Sequence, residues 1–375
     1  MTRFHQRKLV AAFVIIAVAF ASFSCASDDT GSTKSDIKLI FDGDIGPDPC
    51  DFSTLSMLHE YHNQGMIDLV GVIGATPDPY LASTFSIYNQ IYANDIPIGA
   101  YSDGSDDIAF SERIKRAYST SILFTTYANP NETIYEEYGN SETRTSDDVA
   151  GTVELYRKLL SEAEDNSITI YAAGQLFNFP VLLASQADQY SPLNGEELVQ
   201  SKVKKFVFMG GDFPSSAVNP PHDFTSGAEY NWWALGQKDT TRRVISTLAG
   251  MGKPITYVGF EVGERILVGR EIVRRLGRDH PTSEGYYQYV ATYGGQGVEL
   301  TADNPAFDEA GLYYLVEGGL GTYFDRVFGS VQIDENGANT WVTGEGTEAY
   351  ITLRSGVEDE LAGVITDRVT GWFKP

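Results

Sequence analysis

One stretch near the N-terminus, residues 38–59, constrains the fold most, because it joins a strand, an acidic loop and a helix. The apolar run over residues 38–41 ends at an aspartate, and Asp48-Pro49 then forms a helix-start signal, with an N-cap aspartate before a proline at the first helical position. A second apolar run, residues 67–74, follows the helix. Two strands joined through a helix form a βαβ unit with a right-handed crossover. The stretch therefore predicts a parallel sheet.

Strands and helices continue to alternate along the chain. The patterns predict strands at 96–99, 167–173, 205–211 and 254–258, and helices at 82–92, 147–163, 239–249, 264–276 and 308–317. The tail predicts a hairpin around Asp334-Glu335-Asn336-Gly337 and a helix over residues 358–373. We therefore expect one α/β domain over residues 37–375, with a mostly parallel, Rossmann-like central sheet flanked by helices. Its site should lie at the carboxyl ends of the strands.

The N-terminus predicts export and a lipid anchor. A basic start is followed by an apolar run over residues 9–20 that is too short to span a bilayer, and then by a lipoprotein-like processing site before Cys25. We expect a signal peptide over 1–24, an acylated Cys25 with a polar tether over 25–36, and an extracytoplasmic bacterial lipoprotein in the outer membrane, the periplasm or at the cell surface. The alternative is an ordinary signal peptide with an incidental cysteine.

The net charge of −24 argues against two classes of partner. Nucleic-acid backbones and anionic membrane surfaces both repel such a chain, so the lipid anchor is the only membrane contact that we expect. The second cysteine, Cys50, has no disulfide partner if Cys25 is acylated, and a thiolate-rich metal site is then excluded. We expect Cys50 to be a packed residue rather than a nucleophile.

The acidic loop predicts a cation site. Asp42, Asp44, Asp48 and Asp51 lie within ten positions at the end of the first strand. These carboxylates would repel each other in a partly buried site, and a hard cation with oxygen ligands, Ca²⁺ above all, would relieve that repulsion. The alternative is an acidic surface loop.

Five strand ends resemble, in order, motifs of the nucleoside hydrolase family. The first is residues 42–55, DGDIGPDPCDFSTL, which is similar to the family's calcium loop DTDIGPDxDDAxAL. The others are IYAAGQLFNF at 170–179, FVFMGG at 206–211, AEYN at 228–231 and NPAFDEAGL at 304–312, which look like the family's GPLTN turn, VVMGG strand, AEFN motif and late HD motif. The resemblance runs from residue 37 to the C-terminus.

This resemblance implies that the chain hydrolyses the N-glycosidic bond of ribonucleosides to ribose and free base. A calcium-bound water activated by an aspartate would attack the sugar, at a transition state with oxocarbenium character. The implied role is purine or pyrimidine salvage. The implied partner is a nucleoside or a related glycoside. The resemblance is also compatible with a homo-oligomer.

The resemblance also assigns roles to individual residues. Asp44 would be the catalytic base and a calcium ligand. The other implied ligands are Asp51, Asp308 and the main-chain carbonyl of Ala173, with Asp42 supporting the loop. The implied substrate-binding residues are Asp78, Met209, Glu229, Asn231 and Asp308.

Two positions depart from the family pattern. Cys50 stands where the family has an aspartate that contacts a ribose hydroxyl, and Phe307 replaces a histidine that protonates purine leaving groups in part of the family. Losing that acid costs about 100-fold in rate unless another group replaces it. Two alternatives follow: a catalytically weakened, calcium-dependent lipoprotein that binds a nucleoside or sugar, and a hydrolase of another glycoside.

The AEYN motif is followed by aromatic residues. The side chains of Tyr230, Trp232 and Trp233 either stack on a base or pack their loop against the core.

Overall fold

A nine-stranded sheet forms the centre of the fold in the computed structural model, which describes residues 35–46, 48–101, 129–214, 228–233, 238–293 and 303–373. Its strands are β1 (Lys38–Gly43), β2 (Asp68–Gly74), β3 (Ile98–Gly99), β4 (Ile168–Ala173), β5 (Val203–Met209), β6 (Ile255–Val258), β9 (Phe324–Ile333), β10 (Asn339–Thr343) and β11 (Glu348–Leu353). A separate antiparallel ribbon pairs β7 (Leu267–Val268) with β8 (Asn304–Pro305). The strand order is β10-β9-β11-β6-β5-β4-β1-β2-β3, and the pairings are parallel except the two that β9 makes.

Helices connect and cover these strands. They are α1 (Pro49–Asn63), α2 (Leu81–Ile91), α3 (Pro130–Tyr138), α4 (Thr152–Glu162), α5 (Asn178–Ala184), α6 (Gly195–Lys202), α7 (Tyr230–Trp233), α8 (Lys238–Gly250), α9 (Phe260–Gly263), α10 (Arg270–Leu276), α11 (Pro281–Tyr293), α12 (Phe307–Glu317) and α13 (Glu358–Val369). Within the described ranges, none of these helices is both long enough and apolar enough to cross a membrane.

Two hydrophobic cores lie on the two faces of the sheet, because successive side chains of a strand point to opposite sides. Phe41 of β1 belongs to one core together with side chains of α1, α2, α12 and α13. Its neighbour Ile40 belongs to the other core, with side chains of α4, α5, α6 and α8. Strands buried on both faces are typical of parallel sheets between helical layers. The predicted α/β fold with a mostly parallel central sheet is confirmed.

The helix predicted over residues 264–276 is wrong. The chain instead forms α9, the short strand β7 and then α10, which begins at Arg270. Gly269 immediately before α10 has a φ of 144°, a conformation that only glycine adopts readily and that a continuous helix cannot contain. The helix predicted from residue 147 begins at Thr152, after a 3₁₀ turn at Ser146–Asp148.

Lys34–Pro375 form one compact unit. The signal segment and Cys25 lie outside the described residues, so the signal peptide, the acylation and the extracytoplasmic location stay predictions.

Candidate functional site

The carboxyl ends of β1, β4 and β5 lie side by side, because these strands are adjacent and parallel. Gly43 pairs with Ala173, and Ala173 pairs with Met209. The segments that follow these strands therefore leave the sheet at the same edge. The first contact between them is made by the Asp44 main-chain N–H, which donates to the carbonyl oxygen of Ala173 at 3.4 Å.

Asp42, inside the end of β1, is held by neutral donors. Its carboxylate accepts hydrogen bonds from the Tyr156 hydroxyl at 2.7 Å and from Asn178 Nδ2 at 3.0 Å. Asn178 Nδ2 also donates to the carbonyl oxygen of Gly74, at the end of the neighbouring strand. Burial raises the pKa of Asp42 to about 7, although both donors oppose the shift. These contacts tie the end of β1 to β2 and α5.

Asp44 is bound by a side chain from the next strand end. Gln175 Nε2 donates to Asp44 Oδ2 at 2.7 Å and lies 3.2 Å from Asn231 Oδ1. Burial raises the pKa of Asp44 to about 6, and the Gln175 hydrogen bond opposes that shift. Gly174 must be glycine here, since a Cβ atom would lie 2.7 Å from Asp44 Oδ1 and its φ is 153°. Gln175 thus links the predicted base to a predicted sugar-binding residue.

The first turn of α1 fixes the next acidic residue. The Asp48 side chain caps the helix by accepting a hydrogen bond from the Cys50 main-chain N–H at 3.4 Å, as the sequence predicts. Asp51 Oδ2 accepts from the Gly46 main-chain N–H at 2.9 Å. The loop and the helix start therefore aim Asp51 back towards the strand end.

A buried cluster forms where α1 meets the start of α12. Cys50, Asp51 and Asp308 each offer one ligand atom, and these atoms lie within 4.8 Å of one another. Burial raises the pKa of Asp51 well above its usual range, and the charges of Asp44 and Asp308 raise it further. Asp308 Oδ2 is buried without a hydrogen-bond donor among the described residues. A buried carboxylate needs a counter-charge or a proton, so this donor set fits a divalent cation. Asp44 is not a member of the cluster.

A second group of predicted residues surrounds the N-terminus of α7. Glu229 accepts hydrogen bonds from the Gly211 and Asn231 main-chain N–H groups, both at 2.9 Å. Asn231 Nδ2 lies 3.2 Å from Met209 Sδ. Burial raises the pKa of Glu229 to about 8, and the Asp44 charge contributes. Glu229, Asn231 and Met209 therefore adjoin one another, and Gln175 connects them to Asp44.

Asp78 belongs to a third set of hydrogen bonds. Its Oδ2 accepts hydrogen bonds from Asn129 Nδ2 at 2.9 Å and from Asn131 Nδ2 at 3.0 Å. Asn131 also donates to the carbonyl oxygen of Ile45, in the acidic loop, at 2.7 Å. Asp78 is therefore joined to the loop through Asn131.

The aromatic residues near the site pack against the protein. Trp232 is fully buried, and its ring lies edge-on to Phe213 and Tyr257. Phe307 packs on Phe260 with ring centroids 4.9 Å apart. Of the two roles open to Trp232, packing against the core is the observed one.

Several residues that matter here were missed in the sequence. Gln175 and Asn178 lie in the turn after β4, where polar residues at a strand end are a usable signal. Glu309 follows Asp308 directly and is fully buried, with one oxygen bound by the Ser53 hydroxyl and the other, Oε2, without a partner among the described residues. No pattern in the sequence separates Glu309 from an ordinary exposed residue in the first turn of a helix.

The comparisons with known proteins identify the fold of the chain through solved structures. No protein-family model matches the chain, and no curated protein sequence matches it. Among solved structures, the inosine-uridine preferring nucleoside hydrolase from Bacillus anthracis is 16% identical, with a TM-score of 0.56 over 89% of this chain and 99% of that one.

Two further structures give similar values. The purine-preferring ribonucleoside hydrolase from Gardnerella vaginalis is 14% identical, with a TM-score of 0.59 over 89% of this chain and 98% of that chain. The type III effector protein XopQ, solved in complex with adenosine diphosphate ribose, is 12% identical, with a TM-score of 0.55 over 90% of this chain and 93% of that chain. Likeness at this level of identity establishes the architecture, and the chain therefore has a nucleoside hydrolase-like fold.

Proposed function

We propose that the protein hydrolyses the N-glycosidic bond of a ribonucleoside or a related N-ribosyl compound with the help of a bound divalent cation, which the family resemblance implies to be Ca²⁺. The observation that carries this proposal is the pair of buried carboxylates, Asp51 and Asp308, because Asp308 Oδ2 accepts no hydrogen bond from any described residue. The pair lies at the strand ends of a fold shared with nucleoside hydrolases.

In this proposal Asp51 and Asp308 would hold the cation, and the family resemblance implies Asp44 and the Ala173 carbonyl as further ligands. When bound, the cation would fix sugar hydroxyls and make a water more acidic. Asp44 would accept a proton from that water, and Gln175 would hold its carboxylate in place. A fixed base contributes to the rate through orientation as well as through proton transfer.

Glu229 and Asn231 would bind the sugar. Asn231 lies beside Met209 and Gln175, and the carboxylate oxygens of Glu229 keep lone pairs beyond the Gly211 and Asn231 main-chain N–H groups that they accept from. Asp78 is proposed as a further substrate contact, held by Asn129 and Asn131. A carboxylate that is ionised near neutral pH, such as Asp44, would stabilise the positive charge that develops on the sugar.

The leaving group would receive little help from the protein at position 307. Phe307 packs on Phe260 and cannot donate a proton. We therefore expect a substrate whose leaving group departs without protonation, such as 4-nitrophenyl riboside, to be cleaved faster than a purine nucleoside.

The test is an assay of the purified protein for release of reducing sugar from a panel of purine and pyrimidine nucleosides and 4-nitrophenyl riboside, with Ca²⁺ or with chelator. We expect turnover that needs the cation and falls by about 100-fold or more in Asp44→Asn. The matched control is Asp95→Asn, an exposed aspartate in a surface ion pair with Arg144. Absence of turnover with every substrate in a folded, Ca²⁺-loaded sample would refute the hydrolase.

A second candidate is a binding protein for a nucleoside or an ADP-ribose-like ligand without turnover. Cys50 and Phe307 favour it, because both replace groups that the family uses on the substrate. The XopQ structure with adenosine diphosphate ribose is a neighbour of the same fold that holds such a ligand. Calorimetry with adenosine and with ADP-ribose separates the two candidates, since binding without release of sugar supports only the second.

A further inference from the structure

The cluster at the start of α1 contains a sulfur atom among its ligand atoms. Cys50 Sγ lies 4.0 Å from Asp51 Oδ1, and both residues share a group of ligand atoms with Asp308. All three residues are buried, with exposed fractions of 3%, 4% and 3%. An ion bound about 2.0–2.6 Å from each donor can bridge donors that lie roughly 4–5 Å apart. One ion can therefore contact all three side chains.

The second observation is the unsatisfied oxygen in the same cluster. Asp308 Oδ2 has no hydrogen-bond donor within the described part of the chain, although the Tyr171 hydroxyl fixes the Asp308 main-chain carbonyl at 2.6 Å. Leaving a buried polar atom without a hydrogen-bond partner destabilises the folded state, and the cost is greater if the atom is charged. An ion between Asp51 and Asp308 would remove that cost, and Cys50 lies close enough to contact it.

The helix start holds the sulfur where it is. Pro49 opens α1, the Asp48 side chain accepts from the Cys50 N–H, and the Asp51 N–H donates to the Asp48 carbonyl at 3.3 Å. Cys50 and Asp51 are thus consecutive residues in one capped helical turn.

A thiolate changes which ions the site prefers. Ca²⁺ takes six to eight oxygen ligands, whereas Zn²⁺ and Co²⁺ accept sulfur, nitrogen and oxygen in smaller coordination spheres. Three protein ligands with an open position for water are the usual arrangement of a catalytic zinc site.

We infer that Cys50 is a metal ligand, and that the site binds a sulfur-accepting divalent cation of the Zn²⁺ class in competition with Ca²⁺. This inference rests on the cation site of the proposed function. On binding, the Cys50 thiol loses its proton to solvent and the sulfur forms a bond to the ion, with no change in oxidation state.

The experiment uses Co²⁺ as a spectroscopic probe and no nucleoside. Titration of the purified full chain with Co²⁺ should produce a near-ultraviolet thiolate-to-cobalt charge-transfer band, and Zn²⁺ should remove it. The band should persist in Cys25→Ser, the other cysteine of the chain, and disappear in Cys50→Ser. In Cys50→Asp, we expect Zn²⁺ affinity to fall at least about 10-fold relative to Ca²⁺ affinity, since an oxygen replaces the sulfur.

A wild-type protein that gives no band overturns the inference, and this result does not depend on any variant folding. A band that survives in Cys50→Ser overturns it as well. The outcomes are separate from those of the nucleoside assay. A chain that shows the Cys50-dependent band but releases no sugar refutes only the hydrolase, and a Ca²⁺-dependent hydrolase without the band refutes only this inference.

Discussion

At the scale of single residues, Gln175 is the side chain that joins the proposed base, Asp44, to Asn231 of the proposed sugar-binding group. Its Nε2 donates to Asp44 and lies within hydrogen-bond distance of Asn231, while its Oε1 is buried without a partner among the described residues. A hydrogen bond to a charged group contributes about 1.5–3 kcal/mol, and a factor of ten in rate corresponds to about 1.4 kcal/mol. Gln175 is therefore a positioning residue for the proposed base.

We predict that Gln175→Met lowers kcat/KM by about 10- to 100-fold, because methionine keeps the length of the side chain and loses the donor. The measurement is the 4-nitrophenyl riboside assay, with the midpoint of thermal unfolding as a check on folding. Gln186→Met is the matched control, since Gln186 is exposed and its Nε2 donates to the nearby Ala184 carbonyl. Equal kcat/KM values for Gln175→Met and the wild type would show that Asp44 needs no such support.

His59 is a second residue whose environment has a measurable consequence. It is buried, stacks on Tyr92 with ring centroids 5.1 Å apart, and has Nδ1 at 3.0 Å from Asn94 Nδ2. Burial lowers the pKa of His59 to about 3, from an ordinary value of 6.5. The folded chain therefore keeps His59 neutral at pH values where the unfolded chain protonates it.

The sign of the effect follows from that difference. The contribution of His59 to stability is fully present above pH 6.5 and is lost as the pH falls from 6.5 towards 3, by about 1.4 kcal/mol per pH unit. Carboxyls with raised pKa values, such as Asp42, act in the opposite direction and partly mask it. A comparison with a variant isolates the histidine.

We predict that His59→Gln reduces the loss of stability between pH 7 and pH 5 by up to about 2 kcal/mol relative to the wild type. Glutamine retains an amide that can contact Asn94 and cannot be protonated in this range. The measurement is the free energy of unfolding from denaturant titrations at the two pH values. The same pH dependence in both proteins would mean that His59 does not stay neutral in the folded state.

At the scale of secondary-structure elements, the predictable part of the fold is the part with local signals. β1, β4 and β5 follow from continuous apolar runs, and the start of α1 follows from Asp48-Pro49. The hairpin around Asp334 also follows from its turn residues: β9 and β10 pair antiparallel, and the Asp334 N–H donates to the Ala338 carbonyl at 2.9 Å. These elements carry their own start and stop residues.

Two of the elements that were missed, β11 and β7, depend on distant partners. β11 lies inside the sheet between β6 and β9, and the sequence patterns predict no separate strand at its six residues. β7 forms because it pairs with β8, more than thirty residues away. The apolar spacing of residues 264–276 is helical, so only Gly269 and this long-range pairing distinguish β7 and α10 from one helix.

The same division applies to the candidate site. The acidic loop and the later strand ends identify Asp44, Asp51 and Asp308, because their residue types and order are visible in the sequence. The contacts among them are not visible, since they depend on how α1, α12 and the turn after β4 pack. Cys50 could be expected to pack in the interior, but only the packing of α1 against α12 brings it beside two carboxylates.

At the scale of the whole molecule, the charge of the chain and the candidate cation site act on stability together. The net charge is −24, so added salt of any kind screens repulsion between acidic groups and favours the folded state. A cation bound between Asp51 and Asp308 would add a specific contribution, because that site exists only in the folded chain. A ligand at 100 times its Kd contributes about 2.7 kcal/mol. The two effects differ in their dependence on ion type.

We therefore predict that Ca²⁺ raises the Tm of the purified protein by several degrees above the value in NaCl of equal ionic strength, and that chelator reverses the rise. Each 1 kcal/mol of stabilisation raises the Tm by about 2–4 °C in a chain of 150–250 residues. The shift per kcal/mol is no larger in this longer chain. Asp308→Asn should abolish the specific rise while raising the Tm without Ca²⁺, since it removes one of two facing buried carboxylates. Asp325→Asn, in an exposed pair with Arg354, is the matched control and should keep the full response. If NaCl and Ca²⁺ raise the Tm equally at matched ionic strength, the acidic residues act only as a charged surface and the cation site does not exist.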